Sequence, residues 1–434
     1  MFDQFEAEAA KAVESGRLSG IVALVTDSVG EVYSHAIGQR AAGSDAAMSA
    51  DTIFWLASMT KAVVSVGALQ LVDAGKLTLD GNLADLIPEF ADLQVLEGFD
   101  DAGTPILRPA KTPVTLRHLL SHMAGFGYGF IQPQIAKWRE HSGTGDPASG
   151  VRADMVQPLL FDPGEGWAYG INTDWVGVVI EAASGQRLDA YLQEHIFGPL
   201  GMKDTGFVLS AEQETRKASV HMRGPDGKVM PIPFGMPENP EVLSGGGGLY
   251  GTAPDYARFL RMLLNGGRHG DRQILRAKTV ASLGVVQTGP HRAGAFKAAN
   301  PAVSNDFDIY PDMHTGYGLA TLINPEPTEE GRSGLSLAWA GLANTYYWAD
   351  PAVGKAGLIM TQLLPFGDAD MLGLLRALET AAYGGEASAR IFVIRKIRRS
   401  SLILKRTPGT FAMVGCPSSG RLISILCRPS SPRI

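Results

Sequence analysis

The segment Phe54-Trp55-Leu56-Ala57-Ser58-Met59-Thr60-Lys61 places a serine three residues before a lysine where a helix is expected to begin. Spacing of i and i+3 puts both side chains on one helix face. A serine hydroxyl is a weak nucleophile near neutral pH and needs a neighbouring base. A lysine held out of water can be neutral enough to take its proton. Unpaired N–H groups at the helix start, including that of Ser58, suit a developing oxyanion. The chemistry implied is nucleophilic acyl transfer. Many solvated helices contain this spacing by chance. Here, though, the lysine lies between an aromatic-apolar strand and an apolar helix, out of place for a surface residue.

The elements needed to position this pair are legible along the chain. Residues 19–38 read as an apolar strand, a turn at Asp27–Gly30 and an alternating strand, a hairpin pattern. From Ser58 to Ala74, apolar positions recur at helical spacing and Gly75 marks the stop, predicting a helix that begins at the serine. Helix-like stretches at Thr115–Met123 and Asp174–Ala183 lie among Pro- and Gly-rich loops, and Thr252–Leu264 is amphipathic. Leu335–Gly341, Thr345–Ala349 and Ala356–Gln362 read as three strands, and Asp368–Tyr383 as a closing helix. The expected fold is α+β: an antiparallel sheet flanked by terminal helices, from residues 1–75 and 245–385, beside a mostly helical domain at 76–244.

The segment DTIFWLASMTKAVVSVGALQLVDAGKLTLD resembles the active-site region of the serine β-lactamase and penicillin-binding family. LRHLLSHMAG (116–125), FDPGEGWAYG (161–170), GPLGMKDTGF (198–207) and SGGGGLYGTAPDYARFL (244–260) agree with that family in order and spacing, so the resemblance covers about residues 10–384. The branch most similar is the family VIII carboxylesterases. The resemblance implies the β-lactamase/transpeptidase-like fold. It also implies that Tyr169, on the family's Tyr-x-Asn motif, sits against Ser58 and Lys61 and relays a proton to the leaving alcohol. Asn172 falls one place late for that motif, and a core tyrosine is the competing reading of Tyr169.

The family's Lys-Thr-Gly becomes Trp339-Ala340-Gly341. A lysine there suits a carboxylate, whereas tryptophan offers a flat apolar wall for an uncharged ester, although a buried strand aromatic explains it equally well. By analogy Gly341 lets the strand approach the substrate, and the Leu342 N–H joins that of Ser58 as the second oxyanion donor. The run Gly125–Phe130 offers Phe126 and Tyr128 either as the lining of an acyl pocket or as parts of a packed loop.

Other motifs are weaker. His118 and His122 have the i, i+4 spacing of a helical metal pair, with no acid between them and no evident third ligand, and are read as structural. The glycines of 244–248 lack the Gly-Lys-Ser/Thr ending of a phosphate loop. No serine satisfies Gly-x-Ser-x-Gly; the segments at 331–334 and 334–338 fail at the final glycine, which disfavours the α/β-hydrolase fold. No cofactor and no metal are expected.

Hydrophobic residues at 45% and charged residues at 19% fit an ordinary globular chain, and a net charge of −6 over 434 residues argues against nucleic acid as a partner. Residues 386–434 stand apart: they hold ten of the 38 basic residues, both cysteines (Cys416 and Cys427) and, after Glu386, no acid. Residues 1–386 carry 28 basic against 44 acidic groups, a net of −16. Such a tail reads as a disordered basic extension or a non-native one, with a tether to anionic surfaces as the minor alternative. Met1–Arg17 has no basic-then-apolar leader pattern and the longest early apolar run, Ile21–Val25, is far too short to span a bilayer. A cytoplasmic location without membrane partners is expected.

The function expected is a serine carboxylesterase acting on small, short-chain acyl esters through Ser58, Lys61 and Tyr169. The alternatives are a β-lactamase or D-amino-acid peptidase, an acyltransferase on the same machinery, and a non-catalytic binding protein, disfavoured because all three residues are intact. The oligomeric state is not specified.

Overall fold

The computed structural model describes residues 1–384 and, beyond them, only the short pair Arg406–Thr407 and Thr410–Phe411. Apart from those four residues, the basic tail expected at 386–434 therefore lies outside the described residues.

A seven-stranded antiparallel sheet forms the centre. Its strands are β1 (Gly20–Asp27), β2 (Glu31–Gly38), β3 (Gly316–Tyr317), β4 (Leu322–Asn324), β5 (Ser336–Gly341), β6 (Thr345–Asp350) and β7 (Lys355–Met360), in the order β3-β4-β5-β6-β7-β1-β2. The expected hairpin is β1–β2. Its turn is held by the Asp27 carboxylate, which accepts from the N–H groups of Val29 and Gly30 at 2.7 and 2.9 Å. Pairing of β1 with β7 brings segments from near the two ends of residues 1–384 into one sheet.

Helices α1 (Asp3–Glu14), α2 (Thr60–Asp73), α3 (Asn172–Ser184), α4 (Ala253–Leu264) and α5 (Ala369–Ala382) complete the layers. Strand side chains alternate between faces, so β1 divides its apolar residues. Ile21, Ala23 and Val25 pack with Phe5 and Ala9 of α1 and Leu374 and Leu378 of α5, whereas Val22 and Leu24 join the cluster containing α2, α3 and α4. Both faces are covered, which is why every residue of β6 is buried. Helix α2 is apolar on nearly every side because it runs through this second cluster rather than along a surface.

Three sequence expectations shift. The helix after Ser58 does not begin at the serine: a 3-10 turn, Ala57–Met59, precedes α2. The helix expected at Thr115–Met123 is confined to Leu116–Leu120, ended by His122 at φ +59°. The segment 76–244 is less helical than expected. Its helices alternate with irregular stretches and with the β-pairs Gln94–Phe99/Pro105–Pro109 and His221–Arg223/Val229–Pro231, because its Pro- and Gly-rich segments break up longer helices. No helix among the described residues is long and apolar enough to cross a membrane.

Candidate active site

Backbone pairing brings the serine turn and the glycine-rich loop side by side. Phe54–Trp55 pairs antiparallel with Tyr250–Gly251, the Leu56 N–H donates to the Leu249 carbonyl at 2.8 Å, and the Leu249 N–H donates to Thr60 Oγ1 at 3.1 Å. Ala57 then takes φ +45°, a conformation that costs an alanine on the order of 1–3 kcal/mol and is sustained by the surrounding packing. Ser58 follows directly and is half-buried, with its side chain facing a cavity of about 1000 Å³.

Lys61 is buried one helical turn on, and its Nζ has three neighbours: Ser58 Oγ at 3.1 Å, Tyr128 Oη at 3.0 Å and the Gly246 carbonyl at 2.7 Å. Gly246 can only accept. Tyr128 also accepts, since its own O–H is directed to Asp174 Oδ2 at 3.4 Å. Burial of the Tyr128 phenol, and then the Asp174 carboxylate and Tyr169, hold its pKa well above the ordinary value, so the phenol stays protonated and donates to Asp174. A neutral lysine amine has two N–H bonds and one lone pair. In that neutral form, with its two N–H bonds engaged by Gly246 and Tyr128, the amine would turn its lone pair to the Ser58 hydroxyl, the arrangement a general base requires.

Asp174 organises this corner. Its Oδ1 accepts from Ser244 Oγ at 2.7 Å and from the Gly246 N–H at 3.0 Å, so one carboxylate fixes both the phenol and the loop whose carbonyl holds Lys61. The loop must be glycine where it passes: a Cβ at Gly246 would sit 2.2 Å from Asp174 Oδ2. Asp174, Ser244 and Gly246 were not singled out by the sequence; the glycine run was the one available signal, since four consecutive glycines mark close backbone approach.

Tyr169 is brought to the site but not in the expected pose. Its ring centroid lies 4.8 Å from Lys61 Nζ, and its Oη accepts from Trp339 Nε1 at 3.0 Å. The phenol oxygen in direct contact with Lys61 belongs to Tyr128, which sequence reasoning had given a substrate-lining role; Tyr128 also lines the cavity. Trp339 presents its ring to the cavity and in addition supplies a polar N–H that the apolar-wall reading did not include. Asn172 is buried away from Lys61, within hydrogen-bond distance of His122 Nδ1 (2.9 Å). Burial and the neighbouring Lys61 push His122 well below its ordinary pKa, leaving it neutral. No group of three or more His, Cys, Asp or Glu side chains gathers as a metal site among the described residues.

Phe126 requires a correction. It is fully buried, with its ring 5.7 Å from Phe90 and 6.2 Å from Trp175, and does not line the cavity. Within the Gly125–Phe130 run it is Tyr128 and Phe130 that reach the cavity, and the 126 side chain turns into the core beneath.

On the opposite wall the end of β5 abuts the serine turn. A Cβ on Gly341 would lie 2.3 Å from the Leu56 carbonyl oxygen and 2.2 Å from Thr345 Oγ1, so only glycine permits this approach. Gly341 and Leu342 line the cavity beside Ser58. Neither the Ser58 nor the Leu342 N–H donates to another group among the described residues, which leaves both available to an oxyanion.

Comparison with known proteins agrees with this geometry. The Beta-lactamase family model matches residues 2–381. A lovastatin esterase of Penicillium rubens is 32% identical, covering 84% of this chain and 94% of the relative. A monacolin J acid methylbutanoyltransferase of Aspergillus terreus is 31% identical, covering 86% and 93%. Among solved structures, unliganded simvastatin synthase (LovD) from Aspergillus terreus superposes with a TM-score of 0.76 at 29% identity, covering 88% of this chain and 98% of that one. EstCE1, described as a hydrolase with promiscuous acyltransferase activity, shares the fold with a TM-score of 0.70 at 22% identity, with coverages of 88% and 98%. With its antiparallel sheet, its serine–lysine turn and a family match over nearly all of the described residues, the chain belongs to the Beta-lactamase family.

Proposed function

We propose that this protein is a serine carboxylesterase that cleaves a small acyl group from a bulky, largely apolar alcohol. The observation that carries the reading is the three-way placement of Lys61 Nζ on Ser58, Tyr128 and the Gly246 carbonyl. Ser58 Oγ attacks the ester carbonyl while its proton passes to Lys61. The N–H groups of Ser58 and Leu342 hold the oxyanion. Collapse breaks the ester C–O bond, and the departing alcohol takes a proton from Lys61 by way of Tyr169. Donation from Trp339 to the Tyr169 oxygen leaves the phenol proton directed away from Trp339, and it stabilises any negative charge left by transfer. Water then enters and releases the acid by the same steps in reverse order.

A small acyl group accords with the methylbutanoyl named for one relative, and a bulky alcohol with a cavity of about 1000 Å³, large for a small-molecule site. Transfer to a second alcohol in place of water is the other reading, favoured because relatives include both an esterase and an acyltransferase. The family VIII carboxylesterases remain the branch whose motifs this reading follows, with Trp339 in place of a cation disfavouring β-lactam carboxylates.

The test is hydrolysis of a chain-length series of p-nitrophenyl esters beside a chromogenic cephalosporin, with products analysed in the presence of added alcohols. Fast turnover of short acyl esters with little lactam cleavage is expected, and formation of a new ester would assign transfer. Dominant lactam turnover would overturn the esterase reading.

A further inference from the structure

The cavity does not end at the serine. It continues along the face of β5 that carries the small side chains Ala338 and Ala340, walled by the aromatic group Phe296, Phe307 and Phe366, whose neighbouring ring centroids lie 5.6 and 4.7 Å apart. Ala338 and Gly341 are three residues apart, so this stretch runs for about 10 Å along the strand. Beyond it the lining changes character: Arg332 and Glu379 close the far end.

Their side chains are only 1% and 3% exposed, and Arg332 Nε lies 3.2 Å from Glu379 Oε2. Arg332 also stacks on Tyr310, with its Cζ 5.4 Å from the ring centroid. Yet neither Nε nor Nη1 of Arg332 makes a hydrogen bond of acceptable geometry. Donors buried without acceptors are disfavoured, charged ones most of all, and a guanidinium so placed at the end of an apolar channel calls for an explanation. The acyl-transfer chemistry at Ser58 uses neither residue.

We propose that Arg332 and Glu379 form a distal polar subsite that recognises an uncharged hydroxyl at the far end of the substrate's alcohol portion. A hydroxyl oxygen accepts from Arg332 while its proton goes to the Glu379 carboxylate, so both members of the pair are used at once. Once Glu379 is ionised, the guanidinium and carboxylate offset each other in charge. A carboxylate ligand would therefore meet Glu379 as a like charge, and an alkyl end would leave the Arg332 donors unpaired. The substrate class implied is an ester whose alcohol is amphipathic in sequence: an apolar body with an oxygen function at the end remote from the acyl group. This inference rests on the preceding functional reading only in taking the Ser58 cavity as the substrate cavity.

The experiment compares alkyl acetates from hexyl to decyl, each with a plain, an ω-hydroxyl or an ω-carboxylate end, as substrates of the wild type and of the double variant Arg332→Met/Glu379→Leu. Removing both charges together avoids leaving one buried alone, and such replacement of an ion pair by apolar residues is commonly tolerated. Binding of the same compounds to Ser58→Ala is measured by calorimetry. The ω-hydroxyl should raise kcat/KM and affinity about tenfold over the plain chain once the chain is long enough. In the double variant that preference should vanish while p-nitrophenyl acetate turnover stays unchanged. An equal preference in wild type and double variant, no preference at any length, or a preference for the ω-carboxylate would each overturn the proposal. If the wild type cleaves none of the acetates but Ser58→Ala still selects the hydroxyl, the esterase reading fails and the subsite stands.

Discussion

Lys61 is the residue on which the chemistry turns, and among the described residues no carboxylate forms an ion pair with its Nζ. Its three hydrogen-bonding neighbours are a carbonyl, a phenol and the serine, and hydrogen bonds through Tyr128 and Gly246 link it to Asp174. Tyr128 is therefore a positioning residue whose hydroxyl sets where the lysine lone pair points. Tyr128→Phe keeps the ring and removes that contact, and kcat for a short ester is expected to fall about 10- to 100-fold with KM little changed. Steady-state kinetics with a thermal melt check this; unchanged kcat with a lowered melting temperature would assign a purely structural role. The Ser58–Lys61 pair could be seen in the sequence because its geometry is local. Its partners could not, because the contacts joining Lys61 to Tyr128, Lys61 to Gly246 and Tyr128 to Asp174 span 67, 185 and 46 residues. Phe126 and Tyr128 lie two positions apart in one glycine-rich loop, and nothing in residue type says which of them turns inward.

At the scale of elements, the site depends on three segments arriving at one point: the 3-10 turn at Ser58, the end of β5 and the loop leading to Tyr169. Gly341→Ala would drive a Cβ into the Leu56 carbonyl and Thr345. The expected outcome is a destabilisation of about 1–3 kcal/mol in denaturant melts, with a loss of kcat that exceeds any change in KM because the Leu342 N–H moves away from Ser58. The loop before Tyr169 is anchored by Asp162, which accepts a bidentate pair from Arg108 at 3.0 and 2.8 Å and the Lys111 N–H at 2.7 Å. The Arg108 hydrogen bonds, then that of Lys111, lower the Asp162 carboxyl from 3.8 to about 2. A carboxyl depressed on folding stabilises above its unfolded pKa and loses that contribution as pH falls through its folded value. Melting temperatures of the wild type should therefore drop between about pH 4 and pH 2, with Asp162→Asn showing a shallower drop; parallel curves would remove Asp162 from the account. The hairpin and the strands β5 to β7 were legible as apolar runs of strand length bounded by turns. The short pairing of residues 54–55 with 250–251 was not, since two residues carry no period.

At the largest scale, one sheet is built from segments near the two ends of residues 1–384 and covered on both faces, and the cavity extends along it from Ser58 to the Arg332–Glu379 pair. Burial raises the Glu379 carboxyl from 4.5 to about 7, opposed by Arg332. A carboxyl raised on folding binds its proton more tightly in the native state, so global stability should fall as pH rises from about 4.5 to about 7. Glu379→Gln should flatten that part of the stability profile in chemical denaturation across the same range; an unaltered slope would mean that Glu379 does not titrate there.

Whether Ser58 is the nucleophile is settled by intact-mass analysis of the full chain after exposure to a serine-reactive phosphonate, followed by peptide mapping, with Ser58→Ala and ester turnover measured in parallel. The expected result is one adduct per chain, located on Ser58, no adduct on the variant, and ester turnover in the variant reduced to background. Labelling at another residue, or ester hydrolysis by Ser58→Ala at the wild-type rate, would contradict it.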